Sequence, residues 1–199
     1  MDTKQKIVIE SLKLFKRYGI KAITMDRIAE NLGVSKRTIY ELFKDKNGLV
    51  ENCINSLITE EEEITKNIIE KSDNVIDGFL TRMKRTIILM SSVNENFLYD
   101  AEKYHYSVFQ RKGKLRDDNE YKMTISFIEQ GKKGGYFRSD INQDIVARLL
   151  REQMKIVANE ELFPAEDFDK AEVFTNISIN FIRGIATSKG IEILEKYKY

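Results

Sequence analysis

Gly33-Val34-Ser35, set between two short runs of helix-forming residues, is the feature that most restricts how this chain can fold. Ahead of it, Thr24 is placed to cap a helix, its hydroxyl accepting from a backbone N–H one turn on. Ile28, Ala29 and Leu32 follow as one apolar stripe at helical spacing. Gly33 supplies the left-handed residue that closes this helix, and Val34 keeps the turn attached to the core. Ser35 then caps a second short helix, predicted to turn Ile39, Leu42 and Phe43 inward and to offer Lys36, Arg37, Thr38 and Tyr40 outward. Two short helices, a glycine turn and a basic outer face describe a helix-turn-helix, the module that lays a helix in the major groove of DNA.

The remainder also reads as helix. Pro164 is the only proline, which leaves long stretches free of breakers. A first helix is predicted from about Asp2 to Tyr18, with Ile7, Ser11, Leu14, Phe15 and Tyr18 on one face and Gly19 as its stop. Asp45 is expected to cap a fourth helix, whose stripe begins at Leu49, Val50, Cys53 and Ile54 and meets no Gly or Pro before Lys71. Further helices are expected from Asp73-Asn74, over Asn94 to Tyr106, over Val108 to Lys133 with a break near Gly113, and over Asp144 to Asn159. After a loop around Pro164, Lys170 to about Ser188 is predicted as the last long helix, with a short extension at Gly190-Ile191. No alternating strand pattern occurs, so the predicted fold class is all-α.

Residues 7–50 resemble the DNA-binding domain of the TetR (tetracycline-repressor) family. The matching positions are Ile7-Val8 and Leu14-Phe15 before Gly19, then Thr24 with Ile28-Ala29, Gly33-Val34-Ser35, Tyr40, Phe43, Lys46 and Leu49. Asn47-Gly48 departs from the family, in which an acidic residue is common there, and weakens the start of the next helix. The resemblance implies a three-helix DNA-binding domain over 1–50, with helix four leading onward from 46, and a helical effector-binding and dimerisation domain over 51–199. It further implies a homodimeric transcription factor, usually a repressor, that leaves a palindromic operator when a small molecule binds the C-terminal domain.

Charge agrees with that division. Residues 1–50 hold eleven Lys/Arg against six Asp/Glu, a net of +5, which leaves −4 on the remainder of a chain whose total is +1. A basic end on an acidic body is expected where only that end meets phosphate. The longest apolar run, Ile87 to Met90, is far too short to span a bilayer, so no membrane partner is expected. With no apolar leader and a lone cysteine, Cys53, the chain is expected to work in the reducing cytoplasm.

The candidate DNA-binding residues are Thr24, Met25, Ser35, Lys36, Arg37, Thr38, Tyr40 and Lys46. Lys36, Arg37 and Thr38 occupy the first turns of the recognition helix, where Arg and Lys pair with guanine acceptors. Which of them reads a base and which touches phosphate stays open. By resemblance, Tyr40 and Lys46 grip the backbone. Lys46 also has a case of its own, because a cation in a first helical turn is disfavoured by roughly 0.3–1 kcal/mol unless an anion is near. Asp45, next to it, is the alternative source of that compensation. Thr24 and the Met25 amide are predicted to form a second phosphate clamp, with Lys44 and Arg27 as candidate helpers.

For an effector pocket the candidates are Phe79, Met83, Met90, Phe97, Tyr104, Phe109, Tyr121 and Phe127, although residues at this spacing are more often simply core. For a dimer interface they are Leu149, Gln153, Ile156, Phe174, Ile177, Phe181 and Ile185, on two helices that by resemblance pair with their copies. Both faces being satisfied inside one subunit is the alternative. No cofactor, metal site or catalytic residue is expected: His105 is the only histidine, and there is no phosphate-binding glycine loop, nucleophile elbow or metal-ligand spacing. An enzyme is therefore not expected.

Overall fold

The computed structural model describes the backbone of residues 2–197, and all their side chains except those of 95, 98, 102 and 106–117. Among the described residues there are ten α-helices and no strand, only a single bridge between Phe137 and Ala186. The helices are α1 (Thr3–Tyr18), α2 (Met25–Leu32), α3 (Lys36–Phe43), α4 (Lys46–Lys71) and α5 (Val75–Ser92). They continue with α6 (Glu95–Tyr104), α7 (Tyr106–Lys133), α8 (Gln143–Ile156), α9 (Lys170–Ile185) and α10 (Ser188–Lys196). The break expected near Gly113 is absent, since α7 runs through it. None of the described helices is long and apolar enough to cross a membrane.

The chain forms two compact units, one of Met1–Lys66 with Ser91–Gly113 and one of Asn67–Met90 with Lys114–Tyr199. The first unit thus extends past residue 50 and takes in α6. Its core joins Ile7, Leu12 and Phe15 of α1, Ile28 of α2, Ile39 and Phe43 of α3, and Leu49, Val50 and Cys53 of α4 with Phe97 and Ala101 of α6. Cys53 is fully buried there, its thiol pushed up to about 12 by burial, and its Sγ donates to the Val8 carbonyl at 3.4 Å.

In the second unit Ile76, Leu80 and Met83 of α5 meet Ile128 of α7, Phe137, Ala147 of α8, Ile179, Ile182 and Ile185 of α9 and Leu194 of α10. An aromatic ladder threads it. Phe79 stacks on Phe127 at 5.3 Å and approaches Phe181 at 6.2 Å, while Phe127 meets Phe137 edge-on at 4.9 Å. The long last helix expected to about Ser188 instead ends at Ile185. There the Phe137–Ala186 bridge pulls the backbone into an extended conformation, and Thr187 restarts the helix by accepting from Gly190 N–H.

Candidate nucleic-acid interface

The turn between α2 and α3 is built from complementary local bonds. Thr24 Oγ1 accepts from Arg27 N–H at 3.2 Å, and Ser35 Oγ accepts from Thr38 N–H at 3.0 Å. Gly33 lies at φ +63°, and two bonds close the end of α2: Gly33 N–H to Glu30 O at 3.3 Å and Val34 N–H to Ala29 O at 3.1 Å. This is the Schellman arrangement, which needs a residue free to adopt the left-handed region. Ile39 and Phe43 then anchor α3 by one face, so Lys36, Arg37 and Tyr40 stand exposed and Thr38 partly so. Leu42, expected inside, sits at the exposed edge because the core is already closed by Ile39 and Phe43.

The two leading basic residues are held by carboxylates. Lys36 Nζ pairs with Asp26 of α2, and this hydrogen bond holds its ammonium above the usual lysine range. Arg37 Nε donates to Glu41 Oε1 at 2.7 Å. Both pairs face solvent, where such pairs are weak enough to be exchanged for other anions. Met25 places its side chain in the core, so only its backbone amide faces outward, at a helix start whose first N–H groups lack intrahelical partners. Arg27 lies over the Tyr18 ring at 4.7 Å.

The junction into α4 is strained. Lys44 has φ +65° and ψ −53°, and Asp45 N–H reaches back to Phe43 O at 2.7 Å, a γ-turn of the rare positive-φ kind. Asp45 Oδ1 accepts from Gly48 N–H at 2.8 Å, the expected cap. A Cβ at residue 48 would lie 2.2 Å from Phe43 O, so the glycine that reads as a weak helix start is what lets α3 and α4 close on each other. Lys46 Nζ donates to Ile20 O at 2.6 Å, and burial pushes its pKa below the ordinary lysine value, partly countered by Asp100. An ammonium has three donors, so among the described residues two remain for another acceptor.

Sequence reasoning missed the part played by α6. The Asp100 carboxylate, 4% exposed, accepts from Lys21 N–H at 2.7 Å, and Asn94 N–H caps the end of α1 at Lys16 O, 2.8 Å away. These bonds tie α6 to the loop that carries Ile20, the acceptor for Lys46. His105 is buried beside them, its pKa pushed down by burial and by the Lys46 ammonium against the pull of Asp100.

The eight aromatic and sulfur residues expected around an effector are divided. Phe79, Met83 and Phe127 lie together in the second core, and Tyr121, half-buried, gives its hydroxyl to Asp144. Met90 is half-buried. Phe97 instead belongs to the first core, because α6 packs on α1, and Tyr104 is exposed on the same helix. The side chain of Phe109 lies outside the described ones. Of the expected dimer residues, Leu149 and Gln153 are exposed, Ile156, Phe174, Ile177 and Phe181 are half-buried, and Ile185 is buried in the second core, where the α9 end turns inward. Among the described residues no group of three His, Cys, Asp or Glu side chains could hold a metal ion.

Residues 7–53 match the family model for bacterial regulatory proteins of the tetR family. The chain is 26% identical to the uncharacterized HTH-type transcriptional regulator YvaF of Bacillus subtilis, over 93% of this chain and 96% of that protein. It is 23% identical to the HTH-type transcriptional repressor KstR2 of Mycobacterium tuberculosis, over 70% of this chain and 71% of that one. A transcriptional regulator from Cytophaga hutchinsonii has the same fold, with a TM-score of 0.75 at 19% identity across 94% of this chain and all of that one. Residues 7–53 are thus a tetR-family DNA-binding domain, and the chain as a whole is similar to TetR-family transcriptional regulators.

Proposed function

We propose that the protein is a homodimeric repressor that holds a near-palindromic operator and releases it when a small molecule binds its helical body. The observation that carries this reading is α3, locked into the core by Ile39 and Phe43 while Lys36, Arg37, Thr38 and Tyr40 stay outward. Lys36, Arg37 and Thr38 read base edges, with Ser35 setting where the helix starts. Tyr40, Lys46, Thr24 and the Met25 amide grip the flanking phosphates, and helix N-termini favour such anions. One recognition helix reads only a few base pairs, so useful specificity needs two half-sites about 34–36 Å apart or a multiple of that.

The outer side of α8 supports pairing of two copies: Ile145 is 56% and Leu149 58% exposed, with Gln153 one turn on. An effector would enter the second unit, where the aromatic ladder supplies adaptable apolar walls. Because α4 belongs to both units, its movement would change the separation of the recognition helices. Effector and DNA then oppose one another reciprocally.

Selection of bound duplexes from a random pool tests the reading, and a two-fold related pair of half-sites is the expected product. On the selected duplex, Lys46→Ala should weaken binding to all sequences and flatten the salt dependence, whereas Lys36→Ala or Arg37→Ala should change sequence preference. Unchanged affinity of Lys46→Ala at moderate salt would remove the phosphate role. Leu149→Glu should leave a monomer by light scattering.

A further inference from the structure

Four side chains on the first unit form a basic and aromatic surface that the TetR reading does not use. Lys103 Nζ donates to Tyr99 Oη at 2.6 Å and stands 4.9 Å from the centre of that ring. Lys103 and Lys21 both stand over Tyr104, each at 5.6 Å. Tyr99 and Tyr104 are about half exposed, and both lysines face solvent. Among the described residues neither ammonium has a carboxylate within ion-pair distance, in contrast to Lys36 and Arg37.

Ring contacts of this kind leave an exposed ammonium its full positive charge, so both lysines can still attract an anion. Along the chain, Lys21 adjoins the proposed phosphate grip. Ile20, one residue before Lys21, accepts from Lys46, and Thr24, three residues after, caps α2, no more than about 10 Å of chain away. The buried Asp100 holds the Lys21 main chain, so the loop and α6 present these groups as one piece.

We propose that Lys21 with Tyr99, Lys103 and Tyr104 of α6 forms an auxiliary clamp on the DNA backbone, gripping phosphates beside the half-site that α3 reads. This rests on the DNA-binding reading above and adds a grip from a helix outside the helix-turn-helix. DNA carries a charge about every 1.7 Å along its axis, so a clamp next to Thr24 and Lys46 finds a phosphate whatever the sequence. The clamp adds affinity and salt dependence and no sequence preference.

The test uses the full-length protein and fluorescence anisotropy on a duplex selected from the random pool, titrated across salt. Replacing both lysines (Lys21→Gln with Lys103→Gln) should lower the log–log salt slope by about 0.9 for each phosphate that is no longer neutralised. Affinity should fall several-fold on selected and scrambled duplexes alike, with the thermal melt unchanged because both side chains are exposed. The double arginine variant, Lys21→Arg with Lys103→Arg, should keep the native slope. A glutamine variant with native slope and affinity, beside a Lys46→Ala variant that loses both, overturns the clamp and leaves the DNA reading standing. Arginine that fails to restore the slope also overturns it. A native protein that binds no duplex at low salt overturns both.

Discussion

The helices that carry the outward basic face are only eight residues long, whereas those of the second unit's core run from nine to twenty-eight. Helices of eight residues are not stable by themselves. The first unit therefore closes their ends with directed bonds, from Thr24, Gly33, Ser35 and Asp45, and braces them from α6 through Asn94 and Asp100. The second unit relies on apolar packing along longer helices, with Phe181, Phe79, Phe127 and Phe137 in sequence across its core. Hydrogen bonds have direction and hydrophobic packing does not. The first unit can accordingly fix which side chain faces out, residue by residue, while the second fixes only which stripe faces in.

The sharpest way to break that comparison is to empty each core in turn. Phe15 is fully buried in the first and Phe137 nearly so in the second. Replacement of either by alanine should destabilise the protein by about 3–5 kcal/mol in urea unfolding. Amide exchange should show protection disappearing first in the unit that was emptied. If Phe137→Ala exposes the amides of α1 to α3 equally, the two cores unfold as one body and the contrast fails.

A middle-sized effect should come from the α3–α4 junction. Gly48→Ala forces a methyl group against Phe43 O, and the overpacking should cost about 1–3 kcal/mol. Lys44→Gly relieves the positive-φ strain at the same junction. Its net gain should be about 1 kcal/mol once the looser unfolded chain is counted. Loss of stability in Lys44→Gly would mean that the lysine side chain, and not its backbone, holds this turn.

The same contrast explains what can be read from the residues alone. Thr24, Gly33, Ser35 and Asp45 are each recognisable as punctuation, because a cap acts within three residues of itself: the three caps make their expected bonds, and Gly33 takes the expected left-handed conformation. The exposed face of α3 follows from them. Asp100 bonds to a residue 79 positions away, and no local pattern marks it. The pairing of Lys36 with Asp26 is equally invisible, since it needs the angle between two helices. In the second unit periodicity shows that Phe79, Phe127 and Ile185 are apolar-face residues. It does not distinguish core from pocket or interface, which is why Ile185 is buried rather than free to pair and Phe97 belongs to the other unit. Gly48 carries a signal with two meanings: a glycine just inside a helix start marks a close backbone approach as readily as a weak helix.

The smallest effect separates the units by pH. His105 is the only histidine and lies in the first unit, so the second has no group of that type to titrate near neutrality. Burial and the Lys46 ammonium hold its folded pKa below the unfolded value of about 6.5, with Asp100 pulling the other way. Between those two values the unfolded chain binds the extra proton and the folded chain does not. Stability therefore rises with pH across this window and is lost as pH falls through it. Melting followed from pH 7 downward should show the first unit weakening before carboxylates titrate, and His105→Gln should flatten that early slope. Parallel curves for the native protein and His105→Gln would mean that the imidazole is protonated as easily in the fold as outside it, and that the α6 surroundings of Asp100 and Lys46 are open to water.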